Sequence, residues 1–253
     1  MDNILLYFAI KYEGDWDKIY QAINKKEKID PKQLEEVIAK NKDNFITLIS
    51  NDYPLKLKNI YKPPFVLFYK GDKNLLYDKG VNIGVVGSRK HTEYGKKVTE
   101  KLVKDLVDRK VTIISGLAKG IDSISHNIAL DNNGKTIAVL GNGLDVYYPN
   151  ENKKLQDRIA DNGLLISEYP CFKDASKENF PKRNRIIAAL SDGILVTEAN
   201  NRSGSMITVS RALEMGKEIF CVPNEIDKGS GCNTLIKEGA KLVETVNDIL
   251  LEL

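Results

Sequence analysis

The chain has 253 residues, 42% hydrophobic and 29% charged. That suits one large domain, or a core domain with a smaller one, and excludes a disordered chain. Net charge is only +3, so any case for a nucleic-acid partner must come from where the charges sit.

Cys171, Cys221 and Cys232 form no CxxC pair, and with two histidines the chain has no zinc-ligand spacing. They read as reduced thiols of a cytoplasmic protein. The opening "MDNILLYFAIKYEG" lacks the basic start and small-residue cleavage site of a signal peptide. No apolar run reaches the ~20 residues of a membrane helix, so no membrane partner is expected.

Next come two short amphipathic helices, "DWDKIYQAINKKEK" and "DPKQLEEVIAKN", the second with Asp30 as cap and Pro31 in its first turn. "DYPLKLKNIYKPPFVLFYKGD" adds three prolines and a strand-like "FVLFY"; Pro63-Pro64 stops any helix. Residues 1–75 therefore read as a small helical domain ending in an extended arm. From about residue 76 the pattern changes. Apolar runs "NIGVVGS", "VTIISGL", "TIAVLGNG", "LLISEYP", "GILVTEA" and "EIFCVPN" alternate with helical stretches. Nearly continuous apolar strands between helices indicate parallel βαβ units covered on both faces. The fold class is α/β: a Rossmann-like, doubly wound, mostly parallel sheet over 76–253, preceded by the helical segment.

Such sheets bind ligands at the carboxyl ends of their strands. The loop after the first strand holds Gly87, Ser88 and Arg89, and that after the second Lys119. The third brings Lys153 and Lys154. The fourth, "NFPKRNR", brings Lys182, Arg183, Asn184 and Arg185, and the fifth Arg202, Ser203, Gly204 and Ser205. Each loop opens a helix and carries a cation. Taken singly, a loop lysine or arginine is usually just solvated; the repetition in five loops points to a phosphate-binding rim. Five strands at ~4.8 Å make it on the order of 20 Å wide, longer than one nucleotide needs and suited to a polynucleotide.

"NFPKRNRIIAALSDG" sharpens this. Asn179 can cap the helix and Pro181 suits its first turn. Yet three cations crowd the end where the helix dipole is positive, an arrangement that becomes favourable once a phosphate docks. Arg183 shares a face with Ile187 and Leu190, so it can also point inward. Tyr147, Tyr148 and Phe180 either stack on bases or pack locally.

Other chemistries fit poorly. "GNGLDV" lacks the third glycine of a dinucleotide fingerprint, and no GxxxxGK[ST] exists. His126 reads as structural. Glu168, Glu198, Asp145 and Asp122 lie near strand ends, but no partner spacing singles one out as a base.

"VVGSRKHTEYG", "ISGLAKGIDSISH", "AVLGNGLDVYYPNEN", "FPKRNRIIAALSDGILVTEA", "SGSMITVSRALEMGKEIFCVPN" and "GCNTLIKEGAKLV" together resemble, in order and spacing, the DprA/Smf family of bacterial DNA-processing proteins, over about residues 50 to 245. The resemblance implies a single-stranded DNA-binding protein without catalysis or cofactor. It implies a homodimer that protects incoming DNA in natural transformation and loads RecA recombinase. It assigns DNA contacts to Gly87, Ser88 and Arg89, and to the basic residues Lys153, Lys154, Lys182, Arg183 and Arg185. It also implies a dimer contribution from the segment holding Leu235 and Ile236, for which packing on the chain's own sheet is the alternative. The first 50 residues match only loosely, as a SAM-like helical domain. The winged helix that ends many members is not expected here. An enzymatic alternative is a nucleoside-monophosphate-cleaving hydrolase of the lysine-decarboxylase-like group, but "TEANNRSGSMIT" lacks its PGGxGTxxE order.

Overall fold

The computed structural model describes residues 1–226 and 230–253. Three helices come first: α1 (Asp2–Lys11), α2 (Trp16–Asn24) and α3 (Pro31–Lys40). Asp15 and Asp30 cap α2 and α3 by accepting from Lys18 N and Lys32 N. Next are β1 (Asn44–Thr47), α4 (Leu55–Lys58) and β2 (Val66–Gly71). The alternating part runs β3 (Asn82–Val86), α5 (Glu93–Asp108), β4 (Thr112–Ser115), α6 (Ile121–Asp131), β5 (Thr136–Leu140), α7 (Lys153–Asn162) and β6 (Leu164–Ser167). It continues through α8 (Asn179–Leu190), β7 (Gly193–Val196), α9 (Ser205–Glu214), β8 (Glu218–Cys221), α10 (Gly231–Lys237), β9 (Lys241–Leu242) and α11 (Asn247–Leu250).

All these strands form one sheet, ordered β1-β2-β6-β5-β4-β3-β7-β8-β9. From β6 to β9 every pairing is parallel; β1 and β2 are antiparallel. All six predicted parallel strands are present. The chain winds from β3 out to β6, then returns to place β7 on the other side of β3. That reversal is the switch point.

Alternate strand residues serve opposite faces. Ile83, Val85 and Ile113 join α5, α6 and α11 on one face. Ile114, Ile137, Val139, Leu164 and Ile166 join α8 on the other. The segment to residue 75 is more than an appended helical unit with an arm. Its strand β2 hydrogen-bonds to β6. Leu5, Leu6 and Phe8 of α1 share one core with Phe68, Ala138 and Leu165 of the sheet. Helix α8 begins at Asn179, after Glu178, so Asn179 is its first helical residue rather than its cap.

His126, on α6, is fully buried. Thr136 Oγ1 donates to the Ile113 carbonyl at 3.0 Å and therefore accepts from His126 Nδ1 at 2.7 Å; Nε2 has no partner among the described residues. Burial, with Arg183 nearby, pushes its pKa down to about 3. The unfolded value is ~6.5. A folded-state value lowered this way gives stability that is present above ~6.5 and lost as pH falls toward 3. Between pH 7 and pH 5 the wild type is expected to lose about 2 kcal/mol more than His126→Leu, read by urea denaturation. Parallel losses in the two proteins would contradict this reading.

Candidate nucleic-acid interface

A cavity of about 560 Å³ opens at the switch point, at the carboxyl ends of the strands. Its walls draw on all five loops: Ser88 and Arg89 after β3, Asp122 after β4, Tyr148 after β5, Phe180 and Arg183 after β6, Ser203 to Ser205 after β7. The five strands are adjacent in the sheet.

The first two loops are locked together. Ser88 N donates to the Glu198 carbonyl at 2.7 Å, and Ile121 N donates to the Ser88 carbonyl at 3.2 Å. Gly120 makes this approach possible: its φ is +77°, and a Cβ would sit 2.3 Å from the Ser88 carbonyl. The start of α5 is already occupied. Thr92 Oγ1 accepts from Gly95 N, and the Glu198 carboxylate accepts from Thr92 N and Oγ1. In the second loop, Asp122 accepts from Gly116 N and Ala118 N. By contrast, α8 and α9 begin without a side-chain cap among the described residues, and both starts face the cavity. Asn179 N, Met206 N and Ile207 N already donate to backbone carbonyls, so the helix dipoles and the Phe180 and Ser205 amides are what an anion would meet there.

The predicted cations divide by position. Arg89 is exposed, its guanidinium 5.9 Å from the Phe180 ring. Phe180 stacks on Tyr148 with ring centres 5.2 Å apart, so an aromatic pair stands on the cavity wall. Tyr147 instead donates to Asp157 and lies under Lys153, 4.7 Å away.

Arg183 lies at the floor of the cavity rather than on its rim. It is 4% exposed, and its Nη1 donates to the carbonyls of Gly116 (2.8 Å) and Val139. Gly116 leaves the space: a Cβ there would lie 2.6 Å from the guanidinium. No carboxylate pairs with Arg183 among the described residues. Burial lowers its pKa to about 10, opposed by Asp122, so it stays cationic at neutral pH. Burial pushes the Asp122 pKa up, opposed by Arg183 and the Ala118 and Gly116 amides.

Arg185 turns further from the rim. Its guanidinium is bidentate to Glu168 at 2.7 and 2.6 Å and donates to the carbonyls of Lys62 and Lys182. It lies outside this cavity and is fully engaged. Lys182 is exposed and belongs to the other side of α8. Lys119 is paired with Glu151. Lys119, Lys153, Lys154 and Arg202 all lie beyond the cavity wall. Asn184, Ser203, Gly204 and Ser205 line it, the two serine hydroxyls hydrogen-bonded to each other. Sequence reasoning missed Lys177 and Asn200, which also line it; Lys177 lies in a segment without glycine, and Asn200 carries no charge.

The carboxylates considered as bases all have structural partners: Glu198 holds the start of α5, Glu168 pairs with Arg185, and Asp145 pairs with Lys70.

The model of the DNA recombination-mediator protein A family matches residues 44–253. The chain belongs to this family. The DNA processing protein DprA of Streptococcus pneumoniae is 49% identical over 208 residues, which cover 81% of this chain and 73% of that protein. The X-ray structure of DprA from that species aligns with 100% of this chain and 98% of its own, at TM-score 0.83 and 38% identity. DNA processing protein A from Helicobacter pylori, whose structure was described for its single-stranded DNA binding mode, aligns at TM-score 0.75 and 31% identity, over 83% of this chain and 95% of its own. In this member of the recombination-mediator family, no described helix is long and apolar enough to cross a membrane.

Proposed function

We propose that the chain binds single-stranded DNA at the switch-point cavity, without catalysing a reaction. The observation that carries the reading is the meeting of five loops there, with two helix starts and a buried cation that, among the described residues, lack a side-chain cap and a carboxylate partner, and an exposed arginine beside a stacked aromatic pair. Phosphates suit the amides and cations. Bases exposed only in single strands suit Phe180 and Tyr148. Asn184, Ser203, Gly204 and Ser205 contribute close polar contacts, while Lys119, Lys153, Lys154 and Arg202 add longer-range attraction from outside. Membership of the family supports the same reading, as does the single-stranded DNA binding described for the Helicobacter pylori relative.

A salt series with labelled oligonucleotides tests it. Affinity is expected to be nearly sequence-independent, higher for single than for double strands, and to fall steeply from about 50 to 200 mM salt. Equal affinity for duplex, or binding insensitive to salt, would refute it.

The family reading extends to protection of incoming DNA in transformation and to loading of RecA recombinase, by a homodimer in the cytoplasm. For the dimer we favour the face of α10. Leu235 and Ile236 are half-buried against the apolar cluster that includes Val209 and Cys232, which leaves part of each outward. Ile236→Glu is expected to sediment as a folded monomer in analytical ultracentrifugation; a folded dimer would count against this face.

A further inference from the structure

A second cavity, of about 360 Å³, opens on the other side of the first turn of α8. Pro181 belongs to the walls of both. The helix start is thus a partition about one helix diameter wide, ~10 Å, between two cavities.

The two differ in chemistry. In the second, six acidic and six basic lining residues balance, eight of them in ion pairs: Lys62 with Asp17, Lys173 with Glu13, Arg211 with Glu214, and Arg185 with Glu168. Such walls offer little net field to a phosphate. They offer flat aromatic surface instead. The Tyr61 side chain is 74% exposed. Lys62 Nζ lies 5.5 Å from the Tyr61 ring centre and 5.2 Å from that of Trp16. The cavity also offers an unmet hydrogen bond. Asn179 is 7% exposed, lines the cavity, and its Nδ2 has no acceptor among the described residues. A buried donor is normally satisfied, and leaving it unpaired is costly.

We propose that this cavity receives one unstacked nucleobase of the same strand that fills the first, with the strand crossing the head of α8. The inference rests on the single-strand reading above. A nucleobase supplies a π face for Tyr61 and a carbonyl or ring-nitrogen acceptor for Asn179 Nδ2, and it carries no net charge into the paired walls. Its linking phosphate passes Lys182, which is exposed and forms no ion pair among the described residues. The N-terminal helices thereby become part of the binding surface.

Trp16, the only tryptophan, lines this cavity and serves as a local reporter. Oligothymidylates of increasing length would be followed by label anisotropy and by tryptophan emission. Short strands are expected to raise anisotropy and leave emission unchanged; longer ones quench it. Tyr61→Ala should weaken the longer strands about tenfold and leave the short ones unaffected. Long strands that bind by anisotropy without moving the emission, or that bind Tyr61→Ala as tightly as wild type, would overturn the second site alone. No anisotropy change with any strand would overturn the single-strand reading as well.

Discussion

Arg185→Ala is expected to destabilise the fold by about 3–5 kcal/mol, measured by urea denaturation. The guanidinium and its Glu168 partner are both buried, with side chains 9% and 5% exposed. Removing either one leaves the other charge without compensation in a medium that solvates it poorly. Arg185 also satisfies the carbonyls of Lys62 and Lys182. It thereby ties the approach to β2 and the head of α8 to the end of β6. Glu168→Ala should cost a similar amount. The double variant Arg185→Met, Glu168→Leu should recover much of the loss, because neither charge is then stranded. Single variants that cost less than about 1 kcal/mol would show that water reaches the pair. Binding of short strands by Arg185→Ala, assayed where the protein is still folded, should fall far less than its stability, since the guanidinium lies outside the switch-point cavity.

How much of this was legible in the sequence follows from what a linear pattern encodes. The parallel strands were legible because burial on both faces writes an uninterrupted apolar run, as in "TIAVL" of β5. The five ligand loops followed from the strands, since topology sends them to one edge. Helix α1 was not legible: Leu5 to Ala9 are all buried, so no polar face marks its period. The union of β1 and β2 with the main sheet was hidden for another reason. Antiparallel edge pairing with β6 depends on residues about a hundred positions away. The fate of the cations was hidden most. Arg183 and Arg185 are two positions apart and chemically identical. One reaches carbonyls at the ends of β4 and β5, the other a carboxylate after β6. Only the fold decides which partner lies within reach. The one sequence signal was that Arg183 precedes the buried Ile187 by one helical turn.

These inward turns change the electrostatics of "NFPKRNR". The dipole at the head of α8 is opposed less than the sequence suggested, because Glu168 neutralises Arg185 and the carbonyls of Gly116 and Val139 hold Arg183. Much of the mobile positive charge at the cavity mouth therefore comes from the loop after β3. Arg89→Ala is accordingly expected to weaken single-strand binding about ten- to hundredfold at low salt, the scale of one charge-assisted hydrogen bond. The salt slope should become shallower by about 0.7, the share of one phosphate contact on a single strand. Thermal stability should not move, because the side chain is exposed and its side-chain contact among the described residues is the loose one with the Phe180 ring. Arg89→Lys should restore the slope but not the full affinity: a lysine replaces the charge, while the planar fork that packs beside Phe180 and grips a phosphate bidentately is lost. An unchanged dissociation constant and slope for Arg89→Ala would move the phosphate contact to the flanking lysines. Lys154→Ala would then take the larger effect, and the cavity floor around Arg183 would no longer serve as the seat of the strand.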